Sequence, residues 1–211
     1  MQTKKHDLRV KIIETSRNEF FEKGFKNSSM RSISQKSNVG LSNIYNYFAN
    51  KDEILSEILT PLLTELTLLL ENHNEPNHID IDVFYSTHFK DESSKLYLRL
   101  VTKYKQELKL LLFQSHGSTY ENFRDDFVRL QGKIGKSYMD KMKEKYPEIN
   151  IAVSSFFLHN ICSWFVNILG EIVTHDLTEK EILQFFHDYV EYSTAGWKQL
   201  MKVGNSKLIS K

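Results

Sequence analysis

Between Asp7 and Lys23 the apolar residues Ile12, Ile13, Phe20 and Phe21 bracket a small Ser16, and positions 13, 16 and 20 follow i, i+3, i+7. That spacing places them on one face of a helix. Gly24 stands where a helix-terminating residue takes the left-handed conformation, and Phe25 follows it, able to fold back on Phe20. The polar run Asn27-Ser28-Ser29 can accept from unpaired N–H groups and start a second, short helix with Met30, Ile33 and Ser34 inward, ending near Ser37-Asn38. After a turn around Val39-Gly40 a third short segment runs from Leu41 to Phe48. Asn50, with Glu53 three residues on, forms an Asn version of the capping box and opens a fourth helix.

Longer helices are predicted beyond this point. Lys51 to about Glu71 carries Ile54, Leu55, Ile58, Leu62, Leu66, Leu69 and Leu70, with Pro61 placed to kink it or split it in two. Asn72 to His78 is polar and aperiodic, a linker. Ser94 to Ser115 reads as one helix stopped by Gly117. Ser118 and Glu121 suggest a capping box for the next, which runs to Tyr146 before Pro147. Ile151 to His175 has apolar pairs at 156/157, 164/165, 168/169 and 172/173. Thr178 and Glu181 cap a last helix with Ile182, Phe185, Phe186, Tyr189, Val190, Trp197 and Met201. Stripes this wide bury more than one face. No internal repeat or low-complexity tract interrupts the series.

Composition agrees with an all-α fold: 40% of the 211 residues are apolar, 12% aromatic, and only three are prolines. The single cysteine, Cys162, excludes an intramolecular disulfide and every multi-cysteine metal pattern. No apolar stretch follows the basic start, so no signal peptide is expected, and a reducing cytoplasm is the simplest location. The apolar region from Ile151 to Val173 is broken by Ser154, Ser155, His159, Asn160, Ser163 and Asn167, and it reads as a buried helix, not a membrane span. Charge is unevenly spread. Residues 1–51 hold ten Lys or Arg against four Asp or Glu, while the rest of the chain holds eighteen against twenty-three. A basic small segment on an acidic larger one is an electrostatic footprint for nucleic acid.

Three short helices with a tight turn between the last two make a helix-turn-helix, whose second helix presents its N-terminal residues to base edges in the major groove. Ser42, Asn43, Tyr45 and Asn46 are the residues available there. Asn suits adenine, hydroxyls serve phosphates or bases, and an aromatic ring can meet a thymine methyl. At this point Arg9, Ile12-Ile13, Phe20, Gly24-Phe25, Ser28-Ser29-Met30, Ile33, Val39, Ile44-Tyr45, Tyr47-Phe48 and Lys51-Asp52-Glu53 resemble the DNA-binding signature of the tetracycline-repressor (TetR/AcrR) family of transcriptional regulators. The resemblance covers about fifty residues without a gap, and Asn43 to Lys51 is its sharpest part. It implies that Tyr45 and Asn46 touch bases or neighbouring phosphates, and that Ser29, Tyr47 and Lys51 hold the phosphate backbone. Arg31 is added as a further candidate contact. Ser34, Ser37 and Asn38 depart from the family's usual Ala, Ala and Gly, Gly40 replaces a capping Ser or Thr, and Ser42 replaces a Gly that allows close approach to the duplex.

The resemblance also implies a partition: 1–50 as the helix-turn-helix domain (motif about 29–48), 51–71 as a linking helix, and 72–211 as a helical dimerisation and effector-binding domain. The last two long helices look like the pair that forms a four-helix bundle between subunits, with Phe156, Phe165, Ile168, Ile172, Phe185, Phe186, Tyr189 and Trp197 at the interface. A pocket for a small hydrophobic effector is expected between the 94–115, 119–145 and 151–175 helices. Tyr104, Phe113, Gln114, His116, Tyr120, Phe123, Phe127, Phe157, Asn160 and Trp164 are its candidate lining.

Enzyme signatures are missing. The sequence has no phosphate-binding glycine loop, no Gly-x-Ser-x-Gly elbow and no His-Glu-x-x-His pair. His159 and Cys162 lie three apart, but a lone Cys among Phe157, Ile161, Trp164 and Phe165 reads as a small core residue. No histidine has another four positions away, so neither a catalytic residue, a metal site nor a cofactor is assigned. The function expected is a dimeric, ligand-responsive repressor of a palindromic operator. The alternative keeps DNA binding without small-molecule control, as in a nucleoid-associated or protein-regulated member of the fold.

Overall fold

The computed structural model describes residues 2–76 and 78–204. Met1, Asn77 and residues 205–211 lie outside the described residues, and so do the outer ends of the sequence-based domains and one residue of the 72–78 linker. The described chain is helical throughout: α1 (Gln2–Lys23), α2 (Met30–Ser37), α3 (Leu41–Tyr45), α4 (Lys51–Glu71), α5 (Thr87–Lys103), α6 (Lys105–Phe113), α7 (Phe123–Lys145), α8 (Ser155–Thr174) and α9 (Glu179–Leu200). Two 3-10 turns, Asn72–Asn74 and Ile81–Phe84, separate α4 from α5. The chain forms two compact units. One joins the residues up to Glu65 to Tyr104–Phe123, and the other joins Leu66–Lys103 to the residues from Arg124 onward.

In the first unit α1 buries Ile12, Ser16, Glu19 and Phe20. It ends as its sequence predicts: Gly24 has φ +75°, its N–H donates to the Phe20 carbonyl at 2.9 Å, and the Phe25 ring lies 5.7 Å from that of Phe20. The corner is closed by α6, because the Phe25 N–H donates to the carbonyl of Gln114 at 2.9 Å. A Cβ on Gly24 would meet that same oxygen at 3.4 Å. Ser29 caps α2, paired reciprocally with Ser32. Asn50 accepts from the Glu53 N–H at 2.9 Å to start α4, but the Glu53 carboxylate reaches the N–H of Ala49 at 2.5 Å, one residue earlier than in a standard capping box. α4 then runs unbroken through Pro61, which is exposed. Pro61 lacks only the N–H that would bond the Glu57 carbonyl.

The helix expected over 94–115 is two helices. No Gly or Pro marks the break at Tyr104, whose φ of −118° and ψ of 27° leave the helical region. What changes there is the packing partner: Leu100 and Val101 are buried in the second unit, Leu108, Leu110, Leu111 and Leu112 in the first. The capping box expected at Ser118 and Glu121 does not form. Glu121 accepts from the Gly117 N–H at 2.6 Å and Ser118 Oγ from the Tyr120 N–H at 3.0 Å, so these residues build a turn and α7 waits until Phe123. Asp52 fixes that turn by accepting from the Thr119 N–H at 2.7 Å.

The second unit packs α5, α7, α8 and α9 with the end of α4. Tyr97 lies among rings, with centroids 5.5 Å from Phe165, 5.2 Å from Phe186 and 6.2 Å from Tyr189. A second cluster joins Phe84, Met139, Met142, Ile149, Met201 and Val203. α5 begins at Thr87 rather than Ser94, and α8 begins after a Ser154 cap rather than at Ile151. The Thr178–Glu181 capping box opens α9 as expected. By length and composition α8 could cross a membrane, yet here Cys162, Phe165, Val166, Ile168, Leu169, Ile172 and Val173 turn into the unit.

Glu19 supplies a test of the first unit. Burial alone would raise its pKa, but Lys36 at 2.6 Å and Lys23 at 3.0 Å overcome that and hold the carboxyl below its ordinary value of 4.5. A depressed carboxyl contributes stability that is present above its unfolded pKa and lost as pH falls through the folded one. Glu19→Gln is expected to lose about 1–3 kcal/mol at pH 7. In urea titrations followed by circular dichroism, the gap to the unsubstituted protein should close as the pH is lowered below 4.5.

Candidate nucleic-acid interface and body cavity

The turn between α2 and α3 is built by residues that the sequence pattern marked as unusual. Asn38 takes the left-handed conformation, φ 53°, and donates its N–H back to α2. Left-handed backbone is open to Asn at low cost. Ser34 Oγ donates to the Val39 carbonyl at 2.6 Å and Ser37 Oγ to the Ser34 carbonyl at 3.3 Å, so both hydroxyls are satisfied inside the turn. Ile33, Val39, Ile44 and Phe48 are buried beneath it. Gly40 caps α3 with backbone alone.

This core leaves one face of α3 to solvent. Ser42, Asn43, Tyr45 and Asn46 are exposed together, with Tyr45 at 51%, and the Asn46 side-chain Nδ2 lies 3.5 Å from Asn43 Oδ1. Ser29 and Arg31 are exposed at the start of α2. Tyr47 is half-buried beneath the Lys5 ammonium, 6.0 Å from its ring centre. Several other cations of this segment are engaged: Arg9 pairs through both nitrogens with Glu57, and Lys36 with Glu19 and Glu22.

Lys51 is placed differently from a free phosphate contact. Its ammonium donates to the carbonyls of Phe25 at 2.5 Å and Ser28 at 2.7 Å, and it lies 3.9 Å from the centre of the Phe25 ring. Burial pushes its pKa below the ordinary 10.5. Two of its three N–H donors are spent on the α1–α2 corner. Its spacing from Phe25 in sequence gave no signal of this.

The second unit contains a cavity of about 420 Å³ bounded by the end of α4 and by α5, α7, α8 and α9. Its wall is mostly hydrocarbon and aromatic: Leu69, Leu70, Phe84, Tyr97, Phe165 and Trp197 among others, with Gln131, Cys162 and Tyr189. None of the ten residues expected to line a pocket is in this wall. Tyr104, Phe113, Gln114, His116, Tyr120 and Phe123 belong to the first unit. There Tyr104 donates to Glu65 at 2.8 Å and Tyr120 to Ser56 at 3.1 Å. Phe127 is buried elsewhere, while Phe157, Asn160 and Trp164 are exposed on α8. The lining that does occur comes mostly from five helices and the 3-10 turn Ile81–Phe84, too scattered for spacing along one helix to reveal.

The interface residues divide as well. Phe165, Ile168 and Ile172 on α8 and Phe186 on α9 are buried inside their own unit, and Trp197 lines the cavity. Phe156 and Phe185 are exposed, at 75% and 38%, and Tyr189 is half-buried. Tyr192 is exposed at 67% beside Trp164, rings 5.8 Å apart. The burial of Cys162 raises its thiol pKa.

A basic, exposed helix-turn-helix on an all-helical body defines a DNA-binding regulator fold. The family model described as "Bacterial regulatory proteins, tetR family" matches residues 12–58. The HTH-type transcriptional regulator YhgD of Bacillus subtilis (strain 168) is 34% identical over 71 residues, which span 34% of this chain and 37% of that protein. A TetR-family transcriptional regulator from Syntrophomonas wolfei superposes with a TM-score of 0.60 at 21% identity, over 91% of this chain and 97% of that one. NalD of Pseudomonas aeruginosa, described as the secondary repressor of the MexAB-OprM multidrug efflux pump, gives 0.59 at 12% identity, over 90% of this chain and 96% of its own. Residues 12–58, which carry the helix-turn-helix, are thus similar to bacterial regulatory proteins of the tetR family.

Two substitutions separate reading from architecture. Asn46→Ala should weaken a native operator by about 1–3 kcal/mol while leaving unrelated duplexes bound as before. Lys51→Met should lower the melting temperature of DNA-free protein, because two carbonyls lose a charged donor, at a cost of about 1.5–3 kcal/mol. Gel retardation measures the first and differential scanning calorimetry the second. An unchanged melting temperature would return Lys51 to the phosphate backbone.

Proposed function

We propose that the chain is a cytoplasmic homodimeric repressor that reads a palindromic operator with α3 of each subunit and releases it when a small hydrophobic ligand enters the body cavity. Ser42, Asn43, Tyr45 and Asn46 face the bases. Ser29, Arg31 and Tyr47 hold phosphates, and Lys51 adds its remaining N–H donor.

The observation that carries ligand control is the continuity of α4. Its first residue, Lys51, is bonded to the α1–α2 corner, and its last turn places Leu69 and Leu70 in the cavity wall. A ligand that prefers one position of that turn biases the attitude of the helix, and differential affinity for two states is what such control requires. Pro61, which leaves one carbonyl of α4 without its partner, is the natural place for bending. NalD's description as a repressor supports the same sign of regulation.

Dimerisation is assigned to α8 and α9, where Phe156, Trp164, Phe185 and Tyr192 leave aromatic surface exposed. An apolar strip of this kind marks an association surface. A single five-residue recognition helix also reads too few base pairs to find a long operator alone.

Light scattering should give a dimer at micromolar concentration, and Phe156→Glu combined with Tyr192→Glu should give a folded monomer without operator affinity. The logarithm of the affinity should fall linearly with the logarithm of salt concentration. A native monomer that retards no upstream DNA would end this reading. Operator binding that no cavity-filling compound alters would favour the form of the fold without small-molecule control.

A further inference from the structure

The polar groups of the cavity wall define what it can hold. Gln131 Oε1 is buried and has no hydrogen-bond partner, although Gln131 lines the cavity. A buried amide oxygen left unpaired is costly, and such groups in folded proteins are normally met by a protein group, a water or a ligand. Tyr97 and Tyr189 line the same space. Burial raises the pKa of both phenols, that of Tyr97 to about 12, so this part of the wall is poor at stabilising negative charge.

The carboxylate and guanidinium of the wall are at exposed positions, and the His78 imidazole is half-buried. Arg99 and Glu92 are the wall's exposed ionic residues, and Glu92 is paired with Lys95 at 3.2 Å. Gln131, Tyr97 and Cys162 instead offer only neutral polar atoms among hydrocarbon and rings. A carboxylate or ammonium seated beside them would lose its hydration without an opposite charge to replace it. An aromatic body fits the remaining wall, where the rings of Phe84, Phe165 and Trp197 provide faces and edges for offset or T-shaped contact.

We propose that the cavity binds an uncharged aromatic compound carrying a hydroxyl group, with that hydroxyl hydrogen-bonded to the side-chain amide of Gln131. A hydroxyl both donates and accepts, so it serves the amide in either orientation about its last bond. The cavity's volume of about 420 Å³ lies in the range of small-molecule sites. This inference rests on the reading of the cavity as the effector site, and it adds the chemical class that the site selects.

The experiment uses the full chain and three probes of nearly equal shape: 2-naphthol, 2-methylnaphthalene and 2-naphthoate. Isothermal titration calorimetry at pH 7 gives their affinities. 2-Naphthol should bind at least about fivefold more tightly than 2-methylnaphthalene, the advantage of one satisfied hydrogen bond, and 2-naphthoate should bind most weakly. Gln131→Leu should bring 2-naphthol down to the affinity of 2-methylnaphthalene without weakening the latter. Equal binding of 2-naphthol and 2-methylnaphthalene to the unsubstituted protein would overturn the proposal, since the amide would then be served by water. So would tightest binding of 2-naphthoate, which would give the choice to Arg99, or no binding of any probe. Operator release is read separately by gel retardation. A hydroxyl preference without release would defeat ligand control and leave the chemistry of the cavity standing. Release by all three probes alike would do the reverse.

Discussion

The ammonium of Lys51 sits over the face of Phe25 and donates to two main-chain carbonyls, those of Phe25 and Ser28. This contact joins the first residue of α4 to the corner between α1 and α2, where the chain has just used a left-handed glycine to reverse direction. The carbonyls it serves lie in the short connection between those helices, where the Phe25 carbonyl also accepts from the Ser28 N–H at 3.2 Å. Charge-assisted hydrogen bonds of this kind are stronger than neutral ones, and partial burial removes the water that would compete for them. The orientation of α2, and through the turn that of α3, is set by a corner that α4 itself holds. The same carbonyl-rich corner is fed from another direction by Gln114, whose oxygen takes the Phe25 N–H. The placement of the four exposed side chains around a five-residue helix therefore depends on a contact that spans 26 positions, from Phe25 to Lys51, and on a longer one from Phe25 to Gln114.

Much of the first unit was legible because its signals are local. Gly24, Ser29, Asn50 and the Thr178–Glu181 pair in the second unit act within four residues of themselves, so the sequence alone places the ends of their helices. The exposed face of α3 was legible for the same reason, since burial of Ile44 and Phe48 leaves only one side for Ser42, Asn43, Tyr45 and Asn46. The break at Tyr104 was not legible. Its neighbours are good helix formers, and the backbone departs from helix only where the apolar residues on either side pack into different units. Ser118 and Glu121 show the converse: the residues of a capping box are present at the right spacing, but Asp52 takes the Thr119 N–H and a turn is more stable there. Lining residues of the cavity were missed because a wide apolar stripe carries no mark that distinguishes a side chain facing other side chains from one facing empty volume.

The serines that stand in the helix-turn-helix where small apolar residues are usual give a related lesson. Ser34 and Ser37 place hydroxyls in a tightly packed turn, which would be costly without partners. Both find backbone carbonyls, and Asn38 accepts the left-handed position that would otherwise call for glycine. Departures that looked like weakened packing are a set of compensating bonds within six residues. The exposed face that they support keeps its place.

The membership of residues 104–123 in the first unit bears on how such a protein can be rebuilt by recombination. A head ending at Glu65 would keep the recognition helix but lose the carbonyl of Gln114 that receives Phe25, the Thr119 amide that Asp52 receives, and the apolar face of α6. The head is not a cassette with one seam. Exchange with a relative by a single crossover after α4 would pair one lineage's α1 with another's α6, and the Gly24–Gln114 contact tolerates little change in shape. Viable chimaeras should carry two junctions, or should come from parents in which the corner and the α6 hairpin have changed together.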